Sequence, residues 1–455
     1  MYRKLMPSLP KTHAVIIMSL LSYRSFGQET QTSRFRLDLP ILDLPYNSKN
    51  SGSFPSMAQS LALSRTTYDL AHLSLEQFES ITPKADGWEG FRSRLTYAFT
   101  DILLLYVPGG SAWLHEEWHR AVMTHRGISS KNDIYNLNIG ASVIAVSHET
   151  DENLARLKED HPEDQVRLAA AGMEAEHALA QDLETDIFFR KNETYRMPLL
   201  WILQVSPISY VNGCNSQKTA DKTTEEQNKL DGTSISKRDF IGLDCLGWIR
   251  DLNRPKETYA ERGAHPSGVG IDRYTTYSEL SSKERNYLNT TKNLSFLNLI
   301  DPFLIGRNEF KGIGLFGETE ANYNFKLRHD LASFGNSISS QFFYDSYLIK
   351  SHATLFLFQN YKHTFPGLEV NLLDVALSSN WTVDIRGQIW QQPRDFLFDT
   401  SSGVLGGLGG VKVAYSGLRM LHPYFNIIGK TRGWVSGIVD QDRSLETILG
   451  FTSYL

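Results

Sequence analysis

Along residues 56 to 81, SMAQSLALSRTTYDLAHLSLEQFESI, apolar positions recur every three or four residues, as they do in GFRSRLTYAFTDILLLYV from 90 to 107. That spacing gathers the apolar side chains on one face of a helix, so both stretches predict helices. The run PLLWILQVSPISYV, 198 to 211, is apolar nearly throughout but is interrupted by Pro207, which predicts a buried core helix and not a membrane span. DENLARLKEDHPEDQVRLAAAGMEAEHALAQDLETDIFFR predicts one helix stopping near Pro162 and a second from about 164 to 188. Between these, LNIGASVIAVSH at 137 to 148 predicts a strand or short hairpin. Residues 214 to 238 are polar and charged with almost no large apolar group, which predicts a mobile loop.

From about residue 311 the period falls to two. FKGIGLFGETEANYNFKLRHD sets Ile313, Leu315, Thr319, Ala321, Tyr323 and Phe325 on one face against Glu318, Glu320, Asn322, Asn324 and Lys326 on the other. NWTVDIRGQIW repeats the pattern, with Trp381, Val383, Ile385 and Ile389 alternating with Thr382, Asp384, Arg386 and Gln388. Similar stretches near 336 to 348, 350 to 361, 366 to 377, 404 to 415, 421 to 430 and 444 to 455 bring the total to about eight strands separated by turn signals. The fold class expected is therefore α+β: a mostly helical region, 56 to 300, followed by an antiparallel β-barrel of about eight strands over 301 to 455.

The N-terminus changes what the barrel means. Arg3, Lys4 and Lys11 precede the short apolar run AVIIMSLL, and Ser25 and Gly27 supply small residues for cleavage before Gln28, so residues 1 to 27 read as an export signal and 28 to 55 as an extended segment. In an exported chain, alternating segments of about ten residues with aromatic ends resemble an outer-membrane β-barrel, apolar toward lipid and polar toward the lumen. A soluble antiparallel barrel or sandwich alternates in the same way. The closing ETILGFTSYL resembles the aromatic-ended last strand of such barrels, although Leu455 stands at the final position.

Charge and cysteine content remove other classes. With 46 basic and 51 acidic residues the net charge is -5, which argues against a nucleic-acid partner held by phosphate contacts. Two cysteines, Cys214 and Cys245, exclude a disulfide scaffold and a four-cysteine zinc site; they either pair across the intervening loop or lie as two buried thiols. No G-x-S-x-G elbow and no cysteine motif points to a nucleophilic hydrolase, and HPSGVG at 265 to 270 lacks the ending of a phosphate loop and reads as a turn.

The candidate chemistry lies in AWLHEEWHRAVMTHRG, 112 to 127. His115, Glu116 and His119 fit H-E-x-x-H: on a helix the two imidazoles are one turn apart on one face and can hold one Zn²⁺, while Glu116 can reach its bound water. With 13 His in the chain, the pattern arises by chance in roughly one sequence in fifty, so its setting has to carry weight. The setting is Pro108-Gly109-Gly110 as a helix break, Ser111 as an expected cap, and Gly127 as an expected helix end. Trp118, inside the motif, is expected to pack into the core.

With the strand-like stretch and the later AAAGMEAEHAL, the order of elements resembles zincin metallopeptidases. Gly172-Met173-Glu174-Ala175-Glu176 looks like the G-x-x-A-E segment of membrane-bound AAA-type metallopeptidases, and the small residues before it are similar to those of site-2 proteases. The resemblance spans about residues 95 to 250 and includes neither an ATPase module nor multiple transmembrane helices. It implies a third metal ligand, either from the second helix, Glu176 or Glu174, or from an aspartate farther on. IGLDCLGW places Asp244 after Gly242 for the latter, with Asp239 and Asp251 as competitors. The order of preference is Asp244, Glu176, Glu174, and a Cys214–Cys245 bond would pin the Asp244 segment near the 198 to 211 helix. His177 is expected at the surface or beside the site, since a fourth protein ligand would close it.

These readings converge on a zinc peptidase of the cell envelope, held in the outer membrane by the barrel and acting on peptide or protein substrates. The reading from another class is a non-enzymatic outer-membrane protein whose helical part is a plug or partner-binding module.

Overall fold

Eight long strands follow one another through the C-terminal third, each paired antiparallel with the next: β5 (Ala321–Ala332), β6 (Gly335–Ser346), β7 (Lys350–Gln359), β8 (Thr364–Ser378), β9 (Trp381–Pro393), β10 (Gly403–Tyr415), β11 (His422–Lys430) and β12 (Ser444–Tyr454). Two more complete a ten-stranded sheet: the short β4 (Phe310–Gly312) beside β5, and β1 (Arg36–Leu44) beside β12. The computed structural model describes residues 35–49, 54–81, 89–136, 145–191, 196–315, 317–418 and 421–454. The expected export signal and most of the 137 to 148 stretch lie outside them.

The expected extended segment thus becomes an edge strand, with Arg36 opposite Tyr454 and Leu44 opposite Thr447. A closed barrel of eight strands is not what the pairing gives: the sheet order runs from β1 to β4, and these edges are not paired with each other among the described residues. Helices occupy the gap. They are α1 (Tyr46–Lys49), α2 (Met57–Ile81), α3 (Glu89–Leu104), α4 (Ser111–His125), α5 (Asp151–Asp160), α6 (Pro162–Arg190), α7 (Met197–Cys214), α8 (Gln217–Asp231), α9 (Asp244–Asn253) and α10 (Ser282–Ser295), with a two-residue ribbon of β2 (Lys131–Asn132) and β3 (Val146–Ser147) after α4.

The long helix α6 ties the sheet's two ends together. Asp182 pairs with Arg36 of β1 at 2.9 Å, Gln181 accepts from Arg328 of β5 at 2.7 Å, and Glu184 pairs with Lys326 of β5. One core runs through both parts: Leu168, Leu179 and Ile187 of α6 cluster with Trp113 and Trp118 of α4 and with Leu331 and Phe343 of the sheet. Helices and strands are consecutive in sequence but are packed as one body.

The alternation read from the sequence has a definite sense. The cross-strand row Lys326, Gln341, Thr354, Glu369, Gln388 points inward, and the adjacent row Ser340, Leu355, Leu368, Ile389 points outward. Inside, Glu369 and Arg386 pair at 2.8 Å along a cavity of about 390 Å³ whose walls come from both halves of the sheet. Outside, Leu357, Leu377, Ile385, Leu405, Leu445 and Leu449 are exposed. A water-soluble sheet has the opposite arrangement, with its apolar rows turned to the core.

The expected mobile loop is a correction. Residues 217 to 231 form helix α8, because Ala220 and Thr224 bury one face and Lys222–Glu226 and Glu225–Lys229 make ion pairs one turn apart on the other. Polar composition alone does not exclude a helix with partners. No helix among the described residues is long and apolar enough to cross a membrane.

Candidate metal centre

Helix α4 starts after the Pro108-Gly109-Gly110 break, but its cap differs from expectation. Gly110 is the N-cap, Ser111 is already helical, and the Ser111 N–H donates to the Tyr68 hydroxyl at 3.1 Å. At the other end Arg126 is the C-cap and Gly127 follows at a φ of 72°. Of the two intervening residues of the motif, Trp118 is wholly buried in the core, and Glu117 binds Arg120 at 2.6 Å and Asn132 at 3.0 Å, fixing α4 to β2. The remaining face carries His115, Glu116 and His119.

The two imidazoles lie with ring centroids 4.9 Å apart over α6. His119 donates Nδ1–H to the Leu168 carbonyl at 2.6 Å, which turns the other ring nitrogen, the buried Nε2, toward Asp244. His115 has Nδ1 on Glu176 at 2.9 Å and Nε2 on Asp244 at 3.1 Å, and the His119 Nε2 stands 3.3 Å from the same Asp244 oxygen. One donor atom from each of His115, His119 and Asp244 falls within 4.8 Å of the others. Ligands on a tetrahedral zinc ion with bonds near 2.0 Å are about 3.3 Å apart, so this spacing suits such an ion.

The sequence builds that geometry from α6 upward. Leu168, Gly172 and Glu176 recur at four-residue spacing and so share the face of α6 that meets α4. A side chain at Gly172 would overlap the Nε2 atoms of both histidines, so only glycine leaves room for the pair there. Asp244 is the first residue of α9, where the helix dipole favours a carboxylate, and its N–H donates to the Tyr210 hydroxyl of α7 at 3.0 Å. Cys214, the last residue of α7, is disulfide-bonded to Cys245 with Cα atoms 6.3 Å apart, so the aspartate is tied to α7 on both sides. Asp239 accepts from the N–H groups of Phe240 and Gly242 at 2.8 and 3.1 Å and shapes the turn leading to it.

Charges follow from burial and proximity. Burial opposes ionisation of Asp244, but His119 and His115 outweigh it and hold the carboxyl down at about 2. Burial likewise opposes the His115 imidazolium, yet the hydrogen bonds to Asp244 and Glu176 win and raise its pKa well above the ordinary histidine value. A proton on His115 thus does the neutralising work that a cation would do. Burial raises Glu116, reinforced by Asp244 and Asp133 and opposed by both histidines. A raised carboxyl pKa suits a group that both takes and gives a proton.

The other acids are engaged elsewhere. Glu176 sits on the far side of the His115 ring from the donor cluster, where it orients the imidazole; the sequence reading of it as a ligand gives way to that position. Glu174 is buried against Arg167 at 2.8 Å and the Gly437 N–H at 2.9 Å, and Asp251 against Lys158 at 2.8 Å and Arg262 at 2.7 Å. His177 is neither at the surface nor beside the site: it is buried between Asp330, 2.5 Å away, and Asn298, 3.1 Å away. Gly172 and Tyr210 were not foreseen. The four-residue stripe on α6 is a signal for the first; Tyr210 has none in sequence. Comparison of the chain with protein-family models, with curated proteins and with solved structures gives no match.

Proposed function

We propose that the protein is a zinc-dependent peptidase of the cell envelope, held in the outer membrane by its curved sheet. The observation that carries the reading is the convergence of His115 Nε2, His119 Nε2 and one Asp244 oxygen, with each imidazole's other nitrogen already fixed. Three protein ligands leave a fourth position for water, the hallmark of a catalytic zinc site as opposed to a structural one. Zinc bound there supplies a Lewis acid that brings the pKa of water to about 7. Glu116, the residue after His115 and within electrostatic reach of both histidines and Asp244, would serve as the base for a metal-bound water and as the acid for the leaving amine. Glu176 and the Leu168 carbonyl occupy the two Nδ1 positions and so hold both Nε2 atoms toward Asp244.

Membrane anchoring draws on the inverted sheet, apolar rows out and charged rows in, as lipid requires. Zinc content and hydrolysis of unfolded envelope proteins, measured on the purified full-length chain, test the function. Wild type and Glu116→Gln are both expected to hold one zinc, and only wild type to hydrolyse. A wild-type chain that binds no zinc overturns the proposal.

A second reading is a non-enzymatic outer-membrane protein with a helical plug. It is favoured by α6, which sits in the mouth of the sheet and bridges β1 and β5 through Asp182 and Gln181. Zinc bound without hydrolysis in either protein supports that reading.

A further inference from the structure

The sheet's outward apolar rows stop at β1 on one side and β5 on the other, and what lies between is helical. Hydrogen bonds fix the helices in this gap to one another and to both sides of the sheet. The Asp38 N–H of β1 donates to Thr66 of α2 at 3.0 Å; His72 of α2 bonds Asp101 of α3 at 2.6 Å; Trp201 of α7 donates to the Leu304 carbonyl at 2.8 Å; and Leu327 of β5 donates to the Ile300 carbonyl at 3.0 Å.

Over Leu63 to Ser74 of α2 and from Leu95 onward in α3 the helices in this gap share the sheet's inverted polarity, with the exposed polar residues Glu76, Gln77 and Arg92 confined to the C-terminal end of α2 and the N-terminal end of α3. In α2 the outward stripe is Leu63, Thr67, Leu70, Ser74 and Phe78, with Phe78 61% exposed, whereas Arg65 is 0% exposed and Asp69 and His72 are also buried. In α3, Phe99 is 62% exposed and Leu95 and Leu103 are also exposed, whereas Asp101 is 0% exposed. The inward charges are paired: Arg65 with Asp182 at 2.9 Å, Asp69 with Arg196 at 2.5 Å, and Asp101 with His72. Phe296, Ile300 and Ile305 continue the exposed apolar surface toward β5.

Burying ionisable groups while exposing leucine and phenylalanine is unfavourable on both counts in water and favourable on both in hydrocarbon. Backbone is no obstacle, since a helix satisfies its own hydrogen bonds. We propose that α2 and α3 face lipid and complete the apolar girdle that the strands leave open, so that the protein sits in the bilayer behind a wall of mixed strands and helices. The inference rests on the membrane placement of the sheet given above.

The test is nitroxide labelling of Leu70→Cys, Phe99→Cys and, as the sheet reference, Leu357→Cys, each in the full-length chain reconstituted into phosphatidylcholine vesicles. Collisions with oxygen, which partitions into lipid, are compared with those of a water-soluble nickel chelate. The expected result is a several-fold preference for oxygen at Leu70 and Phe99, matching Leu357. Preference for nickel at the helix positions beside a lipid-like Leu357 overturns the inference alone, and low accessibility to both reagents does so in favour of a second copy covering α2 and α3. Nickel preference at all three sites overturns the membrane placement as well. Zinc content of the same samples reports on the peptidase reading independently.

Discussion

Replacing Gly172 by alanine adds one methyl group, and its consequences separate a metal centre from an ordinary helix contact. Gly172 lies in the middle of α6. There alanine is favoured over glycine by about 1 kcal/mol on helix propensity alone, so a site with free space would be stabilised. The added Cβ instead meets the Nε2 atoms of His115 and His119, inside van der Waals contact. Each ring has to retreat by about 1 Å, several times the tolerance of about 0.2 Å on metal–ligand distances. His119 has no room to do so, being buried with Nδ1 anchored on Leu168 at 2.6 Å. Overpacking of this kind costs about 1–3 kcal/mol in a core. Expressed as lost zinc affinity, about 3 kcal/mol is a factor of more than 100. Competition against a chromophoric chelator at pH 7 measures it, with thermal unfolding of the metal-free protein as the companion assay. Retention of wild-type zinc affinity within about threefold refutes the placement of both imidazoles over Gly172.

Other outcomes follow from the same contacts. Glu176→Gln keeps the shape beside His115 but removes the charge, and zinc affinity in the chelator assay should fall about 10- to 100-fold with one zinc still bound at saturation. Because the metal-free His115 holds its proton well above the ordinary histidine range, zinc binding at pH 7 should release about one proton, and affinity should rise with pH; titration calorimetry in buffers of different ionisation enthalpy reads both. The Cys214→Ala/Cys245→Ala double variant frees the helix start that carries Asp244 and should weaken zinc more than it shifts the melting temperature of the metal-free fold. Asp251 is held down from 3.8 to about 2; burial opposes the shift, and Arg262 and Lys158 outweigh it. Its folded pKa lies below its unfolded one, so this ion pairing contributes about 2 kcal/mol above pH 4 and is lost as the pH falls through about 2. Asp251→Asn should therefore destabilise the protein clearly in denaturant unfolding at pH 7 and much less near pH 2.

What the sequence disclosed depended on how local the determining physics is. The helices over 57 to 81 and 89 to 104 and the eight long strands were legible because their period is set by neighbours within a few residues. Helix α8 was hidden because its support is ion pairs and a buried Ala220, not an apolar stripe. Pairing of β1 with β12 joins Arg36 to Tyr454, and nothing local in either strand announces the other. At the site, the i, i+4 spacing fixed His115 and His119 on one face, but the carboxylate was a choice among several acids of similar local context. What separates Asp244 from Glu176 is the side of the His115 ring each approaches, a matter of how α6 and α9 pack on α4. Alternation revealed the sheet's two faces without saying which is inside. The inward Glu369–Arg386 pair, with Glu369 buried, and the exposed Leu355 and Ile389 give the sense.

The most direct test of the metal centre is zinc K-edge X-ray absorption on the full-length protein loaded with one equivalent of zinc. Two imidazole ligands and two oxygen ligands at about 2.0 Å, with one imidazole lost in His119→Ala and one oxygen replaced or lost in Asp244→Ala, are the expected result. A six-coordinate oxygen shell, or a spectrum that neither substitution changes, contradicts a centre built from His115, His119 and Asp244.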